Sequence, residues 1–128
     1  MNEPRARVVC VDDDQDTCEM VRAVLESSGY DVLTATTVKE GLSLVRHSDC
    51  DLILLDGCFT DGTGIEMCRT IRNFDSKTPI LFCSGADDKS DIEQAMQAGA
   101  QGYLVKPCGI RKLEQAIAGL VVKDSLPV

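Results

Sequence analysis

At 128 residues the chain is long enough for one domain with a real core, and with 44% hydrophobic but only 4% aromatic residues that core must be mainly aliphatic. A formal net charge of −8 argues against direct binding of nucleic acid, which rests on lysine and arginine neutralising phosphates; cations, basic protein surfaces or another domain are the better partners. No run approaches the ~20 apolar residues of a membrane span, and the opening MNEPRARVVCVDDD has no apolar stretch ahead of a cleavage site. The seven cysteines are odd in number and include no C-x-x-C pair, so a disulfide framework or zinc site is not expected and a reducing cytoplasm fits best.

Strands and helices alternate along the chain. A first strand over about residues 7–11 runs Val8-Val9-Cys10-Val11 into Asp12-Asp13-Asp14. Residues 15–28 read as a helix, with Met20, Val21, Val24 and Leu25 as its apolar stripe, Asp14 as N-cap and Gly29 as its stop. The second strand, Val32 to Ala35, is shorter and more polar, as suits an edge. Thr37 caps a helix through Arg46 with Val38, Leu42 and Val45 inward, and the single histidine, His47, reads as a solvated helix residue and not a ligand. The third strand, 51–55, runs into Asp56, and Gly57 to Thr63 reads as a loop. Gly64 opens a helix carrying Ile65, Met67, Cys68 and Ile71. Thr78-Pro79 introduces the fourth strand, with Pro79 at its first residue, where a missing N–H does least harm. That strand runs Ile80-Leu81-Phe82-Cys83 into Ser84, and Asp87 or Ser90 opens a helix ending near Gly99. The fifth strand, 101–105, runs into Lys106-Pro107. The last helix extends from about Ile110 to Val122 with Leu113, Ile117, Leu120 and Val121 inward, leaving 123–128 as a tail or the start of a linker.

Five strands alternate with five helices, and strands one, three and four are continuous apolar runs. This predicts an α/β fold: a parallel sheet with helices on both faces and right-handed crossovers. Ligands in such sheets sit beyond the carboxyl ends of the strands, where strand order reverses. Four of the strands end on a polar residue that packing does not require: Asp12 and Asp13, Asp56, Ser84 and Lys106. Parallel strands would bring these carboxylates, a hydroxyl and an ammonium to one edge, a set able to hold a divalent cation and to take a phosphoryl group on Asp56. Asp14 and Asp16 read more simply as acids at a helix N-terminus, and Asp61 as a turn acid. Asp12-x-Asp14-x-Asp16 fails as a calcium loop because Thr17 and Ala23 stand where glycine and glutamate are required.

The pieces VVCVDDD, LILLDGCFTDGTG, PILFCSG and GAQGYLVKP, in that order and spacing, resemble the receiver domain of two-component response regulators over about residues 6–122. The resemblance implies a single receiver domain across 1–128 and a flavodoxin-like, doubly wound sheet of order 2-1-3-4-5. It implies Asp56 as phosphoacceptor and Mg²⁺ as cofactor, held by Asp13 directly, Asp12 mainly through water, Asp56, and the backbone carbonyl of Cys58. Ser84 matches the switch hydroxyl, Tyr103 the switch aromatic, Lys106 the family's lysine, Pro107 the proline that follows a cis bond, and Gly64 the glycine opening the third helix. Three residues depart from the usual pattern. Thr60 stands where proline is common, implying a less rigid loop; Cys108 replaces phenylalanine; Ser84 replaces threonine but keeps the hydroxyl.

The implied partners are a histidine kinase or phosphotransfer protein, an effector domain or downstream protein, and a second copy through the fourth helix, fifth strand and fifth helix. No enzymatic turnover is expected beyond self-catalysed phosphoryl transfer and dephosphorylation. Small side chains at Cys58 and Ala86 imply a short to moderate phosphoryl half-life. Any DNA binding would belong to a part outside this sequence. One rival is a metal-dependent phosphohydrolase, but its D-x-D-x-[TV] pattern at the end of the first strand and its cap insertion are lacking. Another is a binding-only receiver that takes no phosphate, which the complete acceptor set disfavours.

Overall fold

The apolar runs and helix signals fold close to where the sequence puts them in a computed structural model that describes residues 4–121. The elements are β1 (Arg7–Val11), α1 (Gln15–Ser27), β2 (Asp31–Ala35), α2 (Val38–His47), β3 (Leu52–Leu55), β4 (Cys58–Phe59), β5 (Gly62–Thr63), α3 (Gly64–Phe74), β6 (Ile80–Ser84), α4 (Lys89–Ala98), β7 (Gly102–Val105) and α5 (Ile110–Val121). The end of the last helix at Val122 and the tail 123–128 lie outside the described residues.

The main sheet is parallel, in the order β2-β1-β3-β6-β7. Counting its five strands alone, this is the 2-1-3-4-5 order. Side chains alternate between its faces. Val8, Cys10, Leu52, Leu54, Leu81 and Leu104 pack with Cys18, Val21 and Leu25 of α1 and Leu113 and Ile117 of α5. Val9, Val11, Ile53, Leu55, Ile80 and Phe82 pack the other way, with Val45 of α2, Met67, Cys68 and Ile71 of α3, and Ala95 and Ala98 of α4. Burial on both faces explains the uninterrupted apolar runs, each fully buried Val, Leu or Ile contributing about 1.5–3 kcal/mol.

The helix ends refine the sequence reading. Thr37 caps α2 by accepting from the Glu40 N–H, as expected. Gly29 takes a left-handed φ of +95°, its N–H donating to the Glu26 carbonyl and that of Tyr30 to the Leu25 carbonyl, a closed helix end that only glycine adopts without strain. Asp14 sits at the N-cap of α1, but its carboxylate accepts from the Thr17 hydroxyl at 2.6 Å and caps no backbone N–H. Met20 is corrected: it is 46% exposed, and Cys18 takes its inward place, so the buried stripe is Cys18, Val21 and Leu25. The N-cap of α4 is Asp88, neither Asp87 nor Ser90. Pro79 precedes β6, and its carbonyl accepts from the Ile53 N–H.

The expected loop 57–63 contains the antiparallel hairpin β4–β5. Strands of two residues are too short to show a period of two, and this one leans on its surroundings. At its turn, Asp61 accepts from the Val38 and Lys39 N–H groups at 2.9 and 3.1 Å, tying the hairpin to the N-terminus of α2. The loop that lacks proline at Thr60 is therefore anchored from outside. At its far end Thr63 and Glu66 form a reciprocal capping box that starts α3.

Candidate functional site

The register of the central strands builds the site. β1 and β3 pair with Val11 opposite Leu55, and the Asp56 N–H donates to the Val11 carbonyl at 2.9 Å, so Asp12 and Asp56 leave neighbouring strands side by side. Oxygens of Asp12, Asp13 and Asp56 all lie within 4.8 Å of one another. Asp12 is buried, Asp56 half-buried and Asp13 exposed. β7 brings in Lys106, whose N–H donates to the Ser84 carbonyl at 2.8 Å. Its Nζ donates to Asp12 Oδ2 at 2.8 Å and to Asp56 Oδ1 at 3.4 Å, so the ammonium leans toward Asp12.

Two of the three carboxylates, Asp12 and Asp56, thus share one ammonium. Burial, followed by the charge of Asp12, holds the Asp56 carboxyl above its usual pKa, against the opposing pull of the Gly57 N–H and Lys106. Burial also works against the Lys106 ammonium, but the hydrogen bond to Asp12 and the charges of Asp56 and Asp12 outweigh it and hold its pKa above the ordinary lysine value. A cluster of hard carboxylate oxygens with surplus negative charge fits a small divalent cation such as Mg²⁺, which prefers oxygen ligands and keeps several waters.

The loop after Asp56 is fitted closely. A Cβ on Gly64 would stand 2.2 Å from the Asp56 carbonyl oxygen and 2.9 Å from the Phe82 ring. Gly64 also donates its N–H to the Gly57 carbonyl at 2.9 Å. Here glycine is required by close approach of backbone to backbone. Cys58, two past Asp56, is the first residue of β4, with an exposed side chain.

Ser84 is buried at the end of β6 and its Oγ accepts from the Ala86 N–H at 3.2 Å. A Cβ on Gly57 would come within 2.7 Å of that Oγ, so the hydroxyl lies against the residue following Asp56. Tyr103, half-buried on the edge strand β7, stacks on Phe82 with centroids 5.8 Å apart and donates its hydroxyl to the Ala86 carbonyl at 2.7 Å. Ala86 therefore joins Ser84 and Tyr103 through one residue's backbone, a link the sequence reading did not contain. The Lys106–Pro107 bond is cis, as the resemblance implied. Asp61, taken as a plain turn acid, is the other residue whose part was missed: its partners lie 23 and 22 residues away, and only the turn-prone Asp-Gly pair hinted at it.

An open α/β sheet with an acidic cluster and a lysine at its carboxyl edge defines a class before any sequence comparison is made. The chain belongs to the response regulator receiver domain family, whose model matches residues 8–118. It is 33% identical over 118 residues to the nisin biosynthesis regulatory protein NisR of Lactococcus lactis subsp. lactis, covering 92% of this chain and 51% of that protein. It is 38% identical over 107 residues to the KDP operon transcriptional regulatory protein KdpE of Escherichia coli, covering 84% of this chain and 47% of that one. The chain thus spans about half the length of these curated relatives. Among solved structures it superposes with a TM-score of 0.90 and 26% identity on a CheY-like receiver domain protein from Methanospirillum hungatei JF-1, covering 94% of this chain and 96% of that one. Among the described residues, no helix is long and apolar enough to cross a membrane.

Proposed function

We propose that the chain is a phosphorylatable receiver domain of a two-component system, with Asp56 as the phosphoacceptor. The observation that carries this is the gathering of Asp12, Asp13 and Asp56 within 4.8 Å beneath a lysine 3.4 Å from Asp56. Asp13, Asp56 and the Cys58 carbonyl would hold Mg²⁺ directly, with Asp12 acting mainly through water. When bound, the ion neutralises charge on the transferring phosphoryl oxygens. Asp56 attacks phosphorus, a P–O bond to its carboxylate forms, and the bond to the donor breaks, the donor being the phosphohistidine of a kinase or phosphotransfer protein. Lys106 offers its ammonium to the same oxygens, a compact charge already at the acceptor.

The phosphorylated aspartate then needs hydrogen-bond donors. Ser84 supplies one by turning toward Asp56, and in doing so gives up the Ala86 N–H. Ala86 also holds the Tyr103 hydroxyl, so a change at Ser84 reaches the aromatic ring through a single residue. Tyr103 turns inward, and the surface of α4, β7 and α5 changes. That is a local charge event biasing a two-state element. The altered surface is the site for a downstream protein, an effector domain or a second copy of the chain. The whole chain acts as one receiver unit in the cytoplasm, and the small side chains of Cys58 and Ala86 give its phosphoryl group a short to moderate half-life.

Incubation with Mg²⁺ and acetyl phosphate, read by intact mass, is expected to add one phosphate to the wild type and none to Asp56→Asn. Uptake by neither protein would leave a binding-only receiver. Steady turnover of a general phosphate ester would point to a hydrolase. Ser84→Ala is expected to keep phosphate uptake while weakening the amide chemical-shift response of β7 and α5.

A further inference from the structure

On the α1/α5 face, the carboxyl edge of the sheet opens into a cavity of about 240 Å³. Its lining includes Asp12, Asp56 and Lys106 together with Cys10, Cys83 and Cys108. Cys83 is the next-to-last residue of β6, and Cys108 lies two past Lys106 in the turn after β7. Both side chains pack against the same core cluster, so they sit on the same face of the sheet. Ser84 pairs with Val105 and its carbonyl accepts from the Lys106 N–H at 2.8 Å, so the turn that carries Cys108 begins beside the end of β6 that carries Cys83, and both residues line the one cavity. Cys10 and Cys18 share this cluster but are 2% and 0% exposed. Cys83 and Cys108 are only partly buried, so a small solute entering the cavity reaches these two thiols first.

We propose that Cys83 and Cys108 form a modification site, a dithiol that a hydroperoxide converts to an intrachain disulfide. Burial, helped by Cys108, pushes the Cys83 thiol up to about 12, so it is a poor attacking group, and oxidation starts at Cys108. The Cys108 thiolate attacks the terminal peroxide oxygen; the O–O bond breaks, Cys108 becomes a sulfenic acid, and the other oxygen leaves as water or an alcohol after taking a proton. The Cys83 sulfur then attacks the Cys108 sulfur. The S–O bond breaks, hydroxide leaves with the Cys83 proton as water, and the S–S bond forms. Two thiols lose two electrons and two protons, and one hydroperoxide is reduced.

The disulfide has a consequence for the acceptor site. It ties the residue before Ser84 to the turn after Lys106, so the two groups that must adjust to an incoming phosphoryl group are linked to each other. This second step rests on the phosphoacceptor reading; the disulfide itself does not.

The test treats the folded protein with hydrogen peroxide, then maps peptides by mass without reduction. The expected product is a linked peptide pair containing Cys83 and Cys108, absent from Cys83→Ser and Cys108→Ser. Cys83→Ser should instead accumulate a sulfenic acid at Cys108, trapped with dimedone. Both thiols remaining free, or oxidation confined to exposed Cys58 and to dimers linked through it, would overturn the site. Oxidised protein should take phosphate from acetyl phosphate several-fold more slowly, with the rate restored by dithiothreitol. A linked product with an unchanged rate would overturn the coupling, and if Asp56 takes no phosphate at all the peptide map still decides the site.

Discussion

The two ends of the sheet handle charge in opposite ways. At the amino end, Arg7 Nε donates to Asp31 Oδ2 at 2.7 Å, its backbone N–H donates to Asp51 Oδ2 at 2.8 Å, and the side chains of the ion pair are 40% and 35% exposed. Water reaches both partners, and such a pair contributes little to stability. At the carboxyl end, Asp12, Asp13 and Asp56 cluster, and Lys106 pairs with Asp12 and Asp56, whose side chains are only 7% and 12% exposed. Like charges at 4 Å interact by up to about 4 kcal/mol at an effective dielectric near 20. The first end is electrostatically settled. The second gains from any cation that enters, and that contrast marks the candidate functional edge more clearly than residue type does, since aspartate is abundant at both.

The largest expected effect is metal-linked stability. Magnesium at about a hundred times its Kd should add about 2.7 kcal/mol to unfolding, seen as a rise in Tm. Asp13→Asn and Asp56→Asn should lose most of that rise, while Asp31→Asn at the amino end should keep it. An equal rise in all four proteins would erase the contrast.

Next comes the close approach of α3 to the end of β3. Gly64→Ala should cost about 1–3 kcal/mol in urea unfolding through overpacking, because its Cβ meets backbone at 2.2 Å. Gly119→Ala, whose Cβ meets nothing within 4 Å in α5, should instead stabilise by about 0.4–1 kcal/mol.

A smaller effect should follow from removing one charge. Without metal, Asp56→Asn should stabilise the fold by on the order of 1 kcal/mol. The Asp56 carboxyl is raised in the folded state, so the folded protein keeps that proton to higher pH than the unfolded chain does. Between the two values the native state binds more protons, and the Asp56 contribution to stability falls as pH rises through that window and stays lower above it. Urea titrations of wild type and Asp56→Asn at stepped pH would show the gap widening upward from acid; a constant gap would sink the prediction. Smallest is Asp61→Ala, which should lower Tm slightly and speed amide exchange at Val38 and Lys39 without abolishing the fold.

Legibility followed the range over which each signal acts. The strands β1, β3 and β6 were readable because burial on both faces leaves nothing but apolar side chains in the run. Thr37 and Gly29 were readable because capping is settled within a few residues. Met20 was misassigned because a stripe read as i, i+1, i+4 and i+5 has two equally good centres, and the packing of α1 against β2 and α5 chooses Cys18. The hairpin β4–β5 was invisible because its hold on α2 passes through Asp61 to residues more than twenty positions earlier.

The sequence by itself determined the alternation of elements, the parallel sheet, and the polar residues that end its strands, since each follows from local periodicity and from what a buried strand cannot tolerate. Only the tertiary structure decided how those strand ends meet: that Lys106 leans toward Asp12, that one alanine backbone joins Ser84 to Tyr103, and that two cysteines 25 residues apart share a cavity with the acidic cluster. These depend on strand register and on distances of a few ångström between groups far apart in the chain, and no local rule of the polypeptide sets them.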